Sequence, residues 1–172
     1  MTNPNDDKRP SAARGRFGNV IHHEAAPQQE WARDTERYGA TGAELAPAIG
    51  AQDLGYAVVS LDPGKRSCPL HFHHSEEEMF FVLSGRGVVR QTKDGEEEEL
   101  ELGPGDCVAY PPNTGIAHQF HNKSDAPFVY LAVSNRIASD VCEYPDSNKI
   151  LVRRSRTMLR REPNLEYFDG EL

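Results

Sequence analysis

Cysteine is scarce in this chain, and its placement argues against a stapled fold. Cys68, Cys107 and Cys142 are an odd number with no C-x-x-C spacing, so neither a disulfide framework nor a thiolate-ligand role is expected. Long hydrophobic runs are missing too. No apolar stretch approaches the roughly 18–20 residues that cross a bilayer as a helix, so no membrane partner is expected. The opening residues 1–10 lack the apolar core of a secretory signal, which points to the cytoplasm. Basic charge is in deficit: 19 Lys and Arg stand against 27 Asp and Glu, a net charge of −8. That balance speaks against a nucleic-acid partner, whose phosphates call for clustered cations. The one basic cluster, Arg153, Arg154, Arg156, Arg160 and Arg161, falls near the end and balances an acidic body. No internal repeat and no helix-turn-helix segment is visible. At 172 residues, 27% charged and 37% hydrophobic, the chain is sized for one core.

What the chain does have is histidine at meaningful spacing. His71 and His73 sit two apart, and strand side chains alternate faces, so both project to one side. A turn over residues 74–77 then reverses the chain, and Glu78 opens Met79-Phe80-Phe81-Val82-Leu83, a run of strand formers. Glu78 can therefore face the imidazoles across a hairpin. His118, after the turn-rich stretch 103–115, offers a fourth ligand. Three neutral imidazoles and one carboxylate suit a divalent transition metal (Mn, Fe, Co, Ni or Zn). Around tetrahedral zinc they fill the shell and make a structural staple. Around an octahedral ion they leave two positions for a chelating substrate, or for substrate and dioxygen. The bland alternative is surface histidines beside a solvated acidic turn at Glu76–Glu78.

The stretch His71-x-His73-x4-Glu78-x6-Gly85 resembles the first motif of the cupin superfamily. Gly105-x5-Pro111-x3-Gly115-x2-His118-x3-Asn122 is similar to the second, with small departures in loop length. The resemblance implies an all-β fold, a double-stranded β-helix or jelly-roll barrel, with one metal held by His71, His73, Glu78 and His118. A tail with a Tyr144-Pro145-Asp146 turn and an aromatic-Asp-Gly-Glu ending is similar to that of a small, single-domain bacterial branch.

The organisation follows from composition and turn signals. Residues 1–15 are polar and read as a disordered arm. Residues 16–53 form a leader, with a short helix expected near 28–37 that caps the barrel or reaches a partner. Residues 54–134 hold the barrel strands, at 56–61, 70–73, 79–83, 87–92, 98–102, 106–110, 117–121 and 128–133. Asp94-Gly95 marks a two-residue hairpin. Residues 135–172 are an extension packing on the barrel, with a possible strand at 149–153.

Parity assigns the remaining side chains. His74 and His121 fall on the opposite parity from the ligands and face outward, and His22 and His23 lie in the leader without a ligand pattern. Cys68 points away from the ligands, and Cys107 lines the interior. Phe80, Val82 and Phe120 share faces with the ligands and outline an apolar pocket. Tyr110 is a candidate proton donor and Arg66 a candidate anion contact, although packing and surface charge explain them equally. Met79–Leu83 is apolar on both faces, so a second subunit is expected to cover the outer one. Three functions compete. The first is a metal-dependent enzyme on a small oxygenated or carboxylated molecule, of dioxygenase or sugar-isomerase type. The others are a binding or sensing module and a structural metal barrel.

Overall fold

The computed structural model describes residues 16–31, 36–161 and 164–171. Among the described residues, thirteen strands, one short α-helix and three single-turn 3₁₀ helices make up the regular structure. The first group is β1 (Gln28–Glu30), β2 (Ala40–Glu44), α1 (Leu45–Ala48), β3 (Gly55–Leu61), β4 (Phe72–His73) and β5 (Glu78–Ser84). Then come β6 (Gly87–Lys93), β7 (Glu96–Leu102), β8 (Cys107–Tyr110), β9 (Ala117–His121) and β10 (Phe128–Ser134). The last three are β11 (Val141–Tyr144), β12 (Lys149–Val152) and β13 (Thr157–Arg160).

One sheet has six strands in the order β1-β2-β3-β10-β5-β8. A second has the order β13-β12-β11-β4, and a third the order β7-β6-β9. The second and third are joined where His71 and His118 exchange both backbone hydrogen bonds, at 3.2 and 2.8 Å. The fold is an all-β jelly roll whose sheets do not close into a continuous ring. Among the described residues no helix is long and apolar enough to cross a membrane.

Alternation places the core. In β3, Ala57, Val59 and Leu61 point inward, and they meet Phe80 and Val82 of β5, Val89 of β6, Phe120 of β9, and Phe128 and Tyr130 of β10. Burying each large apolar side chain contributes about 1.5–3 kcal/mol, so this cluster carries the fold. Asn122, which ends the second motif, is fully buried and donates to the carbonyls of Leu61 and Ala126 at 2.8 Å each. Its work is to close the turn between β9 and β10.

The leader differs from expectation. Residues 28–30 form β1, paired with β2 in the register Gln28↔Ala43, where a helix over 28–37 is expected; residues 32–35 lie outside the described part, as does the arm at 1–15. The short leader helix is α1 instead. Ala40, Thr41, Gly42, Ala43 and Glu44 have weak strand preference, but the free edge of β3 supplies the hydrogen bonds that make them β2.

The extension turns back onto the barrel. Its β11 pairs with β4 in the register Cys142↔His73 and Glu143↔Phe72. Arg90 of β6 bonds Asp146 at 2.6 Å, and Arg153 pairs with the buried Glu76. Glu76 is thus not part of a solvated acidic turn.

Candidate metal centre

The ligand candidates come from both layers. β5 of the six-stranded sheet presents Glu78, while His71, His73 and His118 project from the opposing layer. Glu78 Oε2 lies 3.7 Å from His71 Nε2, 3.4 Å from His73 Nε2 and 3.2 Å from His118 Nε2. Adjacent ligand atoms on an ion about 2.1 Å away sit about 3.0 Å apart at right angles and about 3.4 Å apart at tetrahedral angles. The 3.2 and 3.4 Å separations match such edges and 3.7 Å is somewhat longer; His71, Glu78 and His118 offer atoms all within 4.8 Å of one another, while His73 reaches Glu78 without joining that group. Glu78 Oε2 and both ring nitrogens of His118 are buried and, apart from the approaches of Oε2 to the three Nε2 atoms, the closest at 3.2 Å, meet no polar partner, a state that costs free energy unless something else meets them. The donor set therefore fits one divalent transition metal.

Hydrogen bonds on the far side of two rings settle which nitrogen faces inward. His71 Nδ1 meets the Pro69 carbonyl at 2.9 Å, so Nδ1 donates there and Nε2 is the nitrogen turned toward Glu78. His73 Nδ1 lies 2.6 Å from Asp140 Oδ2, while Asp140 Oδ1 accepts from the amides of Ser75 and Glu76 at 2.8 and 3.1 Å. A fully buried carboxylate thus orients one imidazole, the arrangement that supports metal ligands generally. His118 stacks on Tyr110, with centroids 3.8 Å apart and planes 8° from parallel.

Charge follows burial and proximity. Burial raises the Glu78 pKa, but the His118 and His71 imidazoles outweigh it and hold the carboxyl well below its usual range. Burial pushes His118 down to about 4, against the pull of Glu78. For His71, burial acts downward, yet Cys68 and Glu78 more than reverse it and hold the ring well above its usual value. Burial lifts Cys142 to about 11, so this residue, in reach of His71 and His73, is a neutral thiol.

The other expected residues fall in different places. Tyr110 is buried, in register with Glu78, and its hydroxyl donates to Gln91 Oε1 at 3.1 Å. Arg66 is bridged to Tyr38 and His121, and none of its described bonds reaches the ligands. Phe80, Val82 and Phe120 are buried core, with Phe80 and Phe120 centroids 4.7 Å apart. They are a packed floor, not an open sleeve, because Tyr110, Tyr130 and Phe128 fill the space around them. His74 bonds Glu143 at 2.8 Å, His121 sits beside Arg66, and His22 Nδ1 accepts from the amide of Glu24 at 3.3 Å.

Two cysteines depart from expectation. Cys68 Sγ lies 3.6 Å from His71 Nδ1, because Pro69 interrupts the strand and parity cannot be counted through it. Cys107 is exposed, since it pairs with outward-facing Phe81.

Beside Glu78 the inner face opens into a cavity of about 200 Å³, cleared by the small residues Gly55, Ala57, Ala132 and Ser134 and bordered by Glu44. Glu44 faces inward from β2 opposite Ala57, and its carboxylate does not cap the helix that follows. Of the four ligand candidates only Glu78 lines this cavity; three larger hollows, about 490 and 500 Å³ along the β6–β7 hairpin and about 560 Å³ beside β1 and β2, include none of them. Sequence reasoning missed Glu44 and Asp140. A period of two in Ala40-x-Gly42-x-Glu44 was the only trace of the first; for the second, no local signal exists.

Residues 57–134 match the family model described as Cupin domain, so this segment of the chain is a cupin domain. Among curated proteins it is 35% identical over 89 residues to a glucose-6-phosphate isomerase of Thermococcus kodakarensis, covering 47% of this chain and 46% of that protein. It is 36% identical over 81 residues to an acireductone dioxygenase of Bacillus cytotoxicus, with 46% of each covered. The chain thus spans about half the length of the curated relatives it matches. A crystal structure provisionally assigned as a sugar phosphate isomerase, from Acidithiobacillus ferrooxidans, superposes with a TM-score of 0.69 at 28% identity. That match covers 74% of this chain and 80% of the other.

Proposed function

We propose that this protein is a metal-dependent aldose–ketose isomerase acting on a small sugar phosphate. The observation that carries the reading is a non-ligand carboxylate, Glu44, on the same cavity as the ligand Glu78. Isomerisation needs a base to move a proton between neighbouring carbons, and a site made of ligands alone offers none. The 35% identity to the Thermococcus isomerase and the 28% identity to the Acidithiobacillus structure support the same choice.

His71, His73, Glu78 and His118 would hold the ion, which supplies Lewis acidity to two adjacent substrate oxygens. Glu44 would take the proton from the carbon beside the carbonyl and return it to the former carbonyl carbon, while the proton of the adjacent hydroxyl passes to the former carbonyl oxygen. The packed floor of Phe80 and Phe120 keeps bulk water from below the ligands. Tyr110, stacked on His118, fixes that ring's plane.

Incubating metal-loaded protein with glucose 6-phosphate in heavy water tests this. Fructose 6-phosphate should appear with solvent deuterium at the exchanging carbon. Glu44→Gln should lower kcat about 100-fold or more with metal content unchanged. Oxygen consumption on an enediol without any proton exchange on sugar phosphates would favour the dioxygenase class of the Bacillus relative.

The reading includes a homodimer. Among the described residues Phe81 and Leu83 point outward from β5 and are 38% and 45% exposed, and β1 and β2 of the leader extend the sheet at its β3 edge. A second copy is the expected cover.

A further inference from the structure

The rim of the 200 Å³ cavity is built by segments outside residues 57–134, and their chemistry is specific. Trp31, just after β1, lies across β2 where residue 42 is glycine. A Cβ there would sit 2.3 Å from Trp31 Cζ2, so only glycine admits the ring. Arg136, just after β10, lies across β3 where residue 55 is glycine. A Cβ there would sit 2.5 Å from Arg136 Cδ. Neighbouring strands thus each give up a side chain to seat one large group at the same cavity.

The two other charged groups of the rim differ from Arg136. Arg153 is paired with buried Glu76, so its charge is already matched. Glu44 is the base assigned above. Arg136 has no ion pair among the described residues, and its backbone sits at φ 46°. A non-glycine residue held there costs free energy, and such strain gathers where a side chain must be aimed.

We propose that Trp31 and Arg136 form a subsite for the phosphate-bearing end of a sugar, on the rim of the cavity whose wall includes Glu78. The guanidinium fork matches phosphate oxygens in paired hydrogen bonds. The indole face gives the C–H face of a sugar an apolar wall that neither a carboxylate nor an amide could offer. With the phosphate anchored there, the carbonyl end is directed toward Glu78 and Glu44. The subsite rests on the sugar-isomerase reading for the identity of the sugar, but not for the capture of the anion.

Trp31 is the single tryptophan of the chain, so tryptophan emission, excited beyond the tyrosine absorption band, reports on this rim alone. The test titrates metal-loaded protein with glucitol 6-phosphate, which has no carbonyl to isomerise, and in parallel with glucitol. Saturable change in Trp31 emission is expected with glucitol 6-phosphate. Arg136→Gln should weaken that binding about tenfold or more while leaving metal stoichiometry and the glucitol response unchanged. Arg136→Lys should recover part of the loss. Three results would overturn the subsite: no binding to the native protein, Arg136→Gln binding within about twofold of native, or calorimetric binding with silent Trp31 emission. Arg136-dependent binding without turnover of any aldose phosphate would sink the isomerase reading and leave the subsite standing.

Discussion

His73 is held from two sides: its Nε2 faces Glu78 Oε2 at 3.4 Å and its Nδ1 meets Asp140 Oδ2 at 2.6 Å. Asn at position 140 keeps an oxygen for the Ser75 and Glu76 amides but offers Nδ1 a donor in place of an acceptor. The ring proton must then move to Nε2, the atom that faces the ion. Asp140→Asn is expected to lower metal affinity about 10–100-fold by calorimetry, with the melting temperature of the metal-free protein little changed. An equal loss of metal-free stability with affinity intact would reduce Asp140 to a turn-holding residue. Protonation gives a second prediction. Metal-free His71 titrates well above its usual range and His118 down at about 4, so near neutrality His71 alone of the two carries an extra proton. An arriving ion displaces about one proton, and affinity falls as pH drops through the His71 range. Calorimetry in buffers of differing ionisation enthalpy measures the release; none at pH 7 contradicts it. That Glu78 faces His71, His73 and His118 was legible because strand alternation and a hairpin are local rules. Asp140 was not, since it meets His73 across 67 residues of sequence through a contact that only the folded extension creates.

At the level of elements, hairpins and turns explain the motif glycines. Gly85, between β5 and β6, has φ 77°, and a Cβ there would lie 2.2 Å from the Pro127 carbonyl oxygen. Gly95, at the β6–β7 hairpin, has φ 85° but no atom within 4 Å of such a Cβ. Gly95→Ala therefore meets backbone strain alone, about 1–2 kcal/mol. Gly85→Ala adds a clash with main chain and should cost about 3 kcal/mol or more. Chemical denaturation of both variants checks the order, and equal losses would show that the Pro127 contact yields freely. Strand β9 was read at its observed bounds, and the other barrel strands within two residues, because their apolar alternation and turn residues agree. The leader strands were not legible. Ala40, Gly42 and Ala43 earn their extended form from the edge of β3, a long-range pairing that composition does not display.

For the whole molecule, the leader and the extension complete what the barrel begins. The leader brings Trp31 and Glu44 to the cavity, and the extension supplies Asp140, Arg136 and the strand that flanks β4. If a second copy covers β5, Phe81→Glu should convert a dimer into a monomer in sedimentation velocity, with metal content retained. A native protein that sediments as a monomer throughout would remove the dimer from the account. The central claim is that both layers converge on one ion. Anomalous diffraction from crystals grown with manganese tests it most directly. One peak is predicted, about 2.0–2.3 Å from Nε2 of His71, His73 and His118 and from Glu78 Oε2. A peak confined to another carboxylate cluster, or His118 turned away from a bound ion, would contradict it.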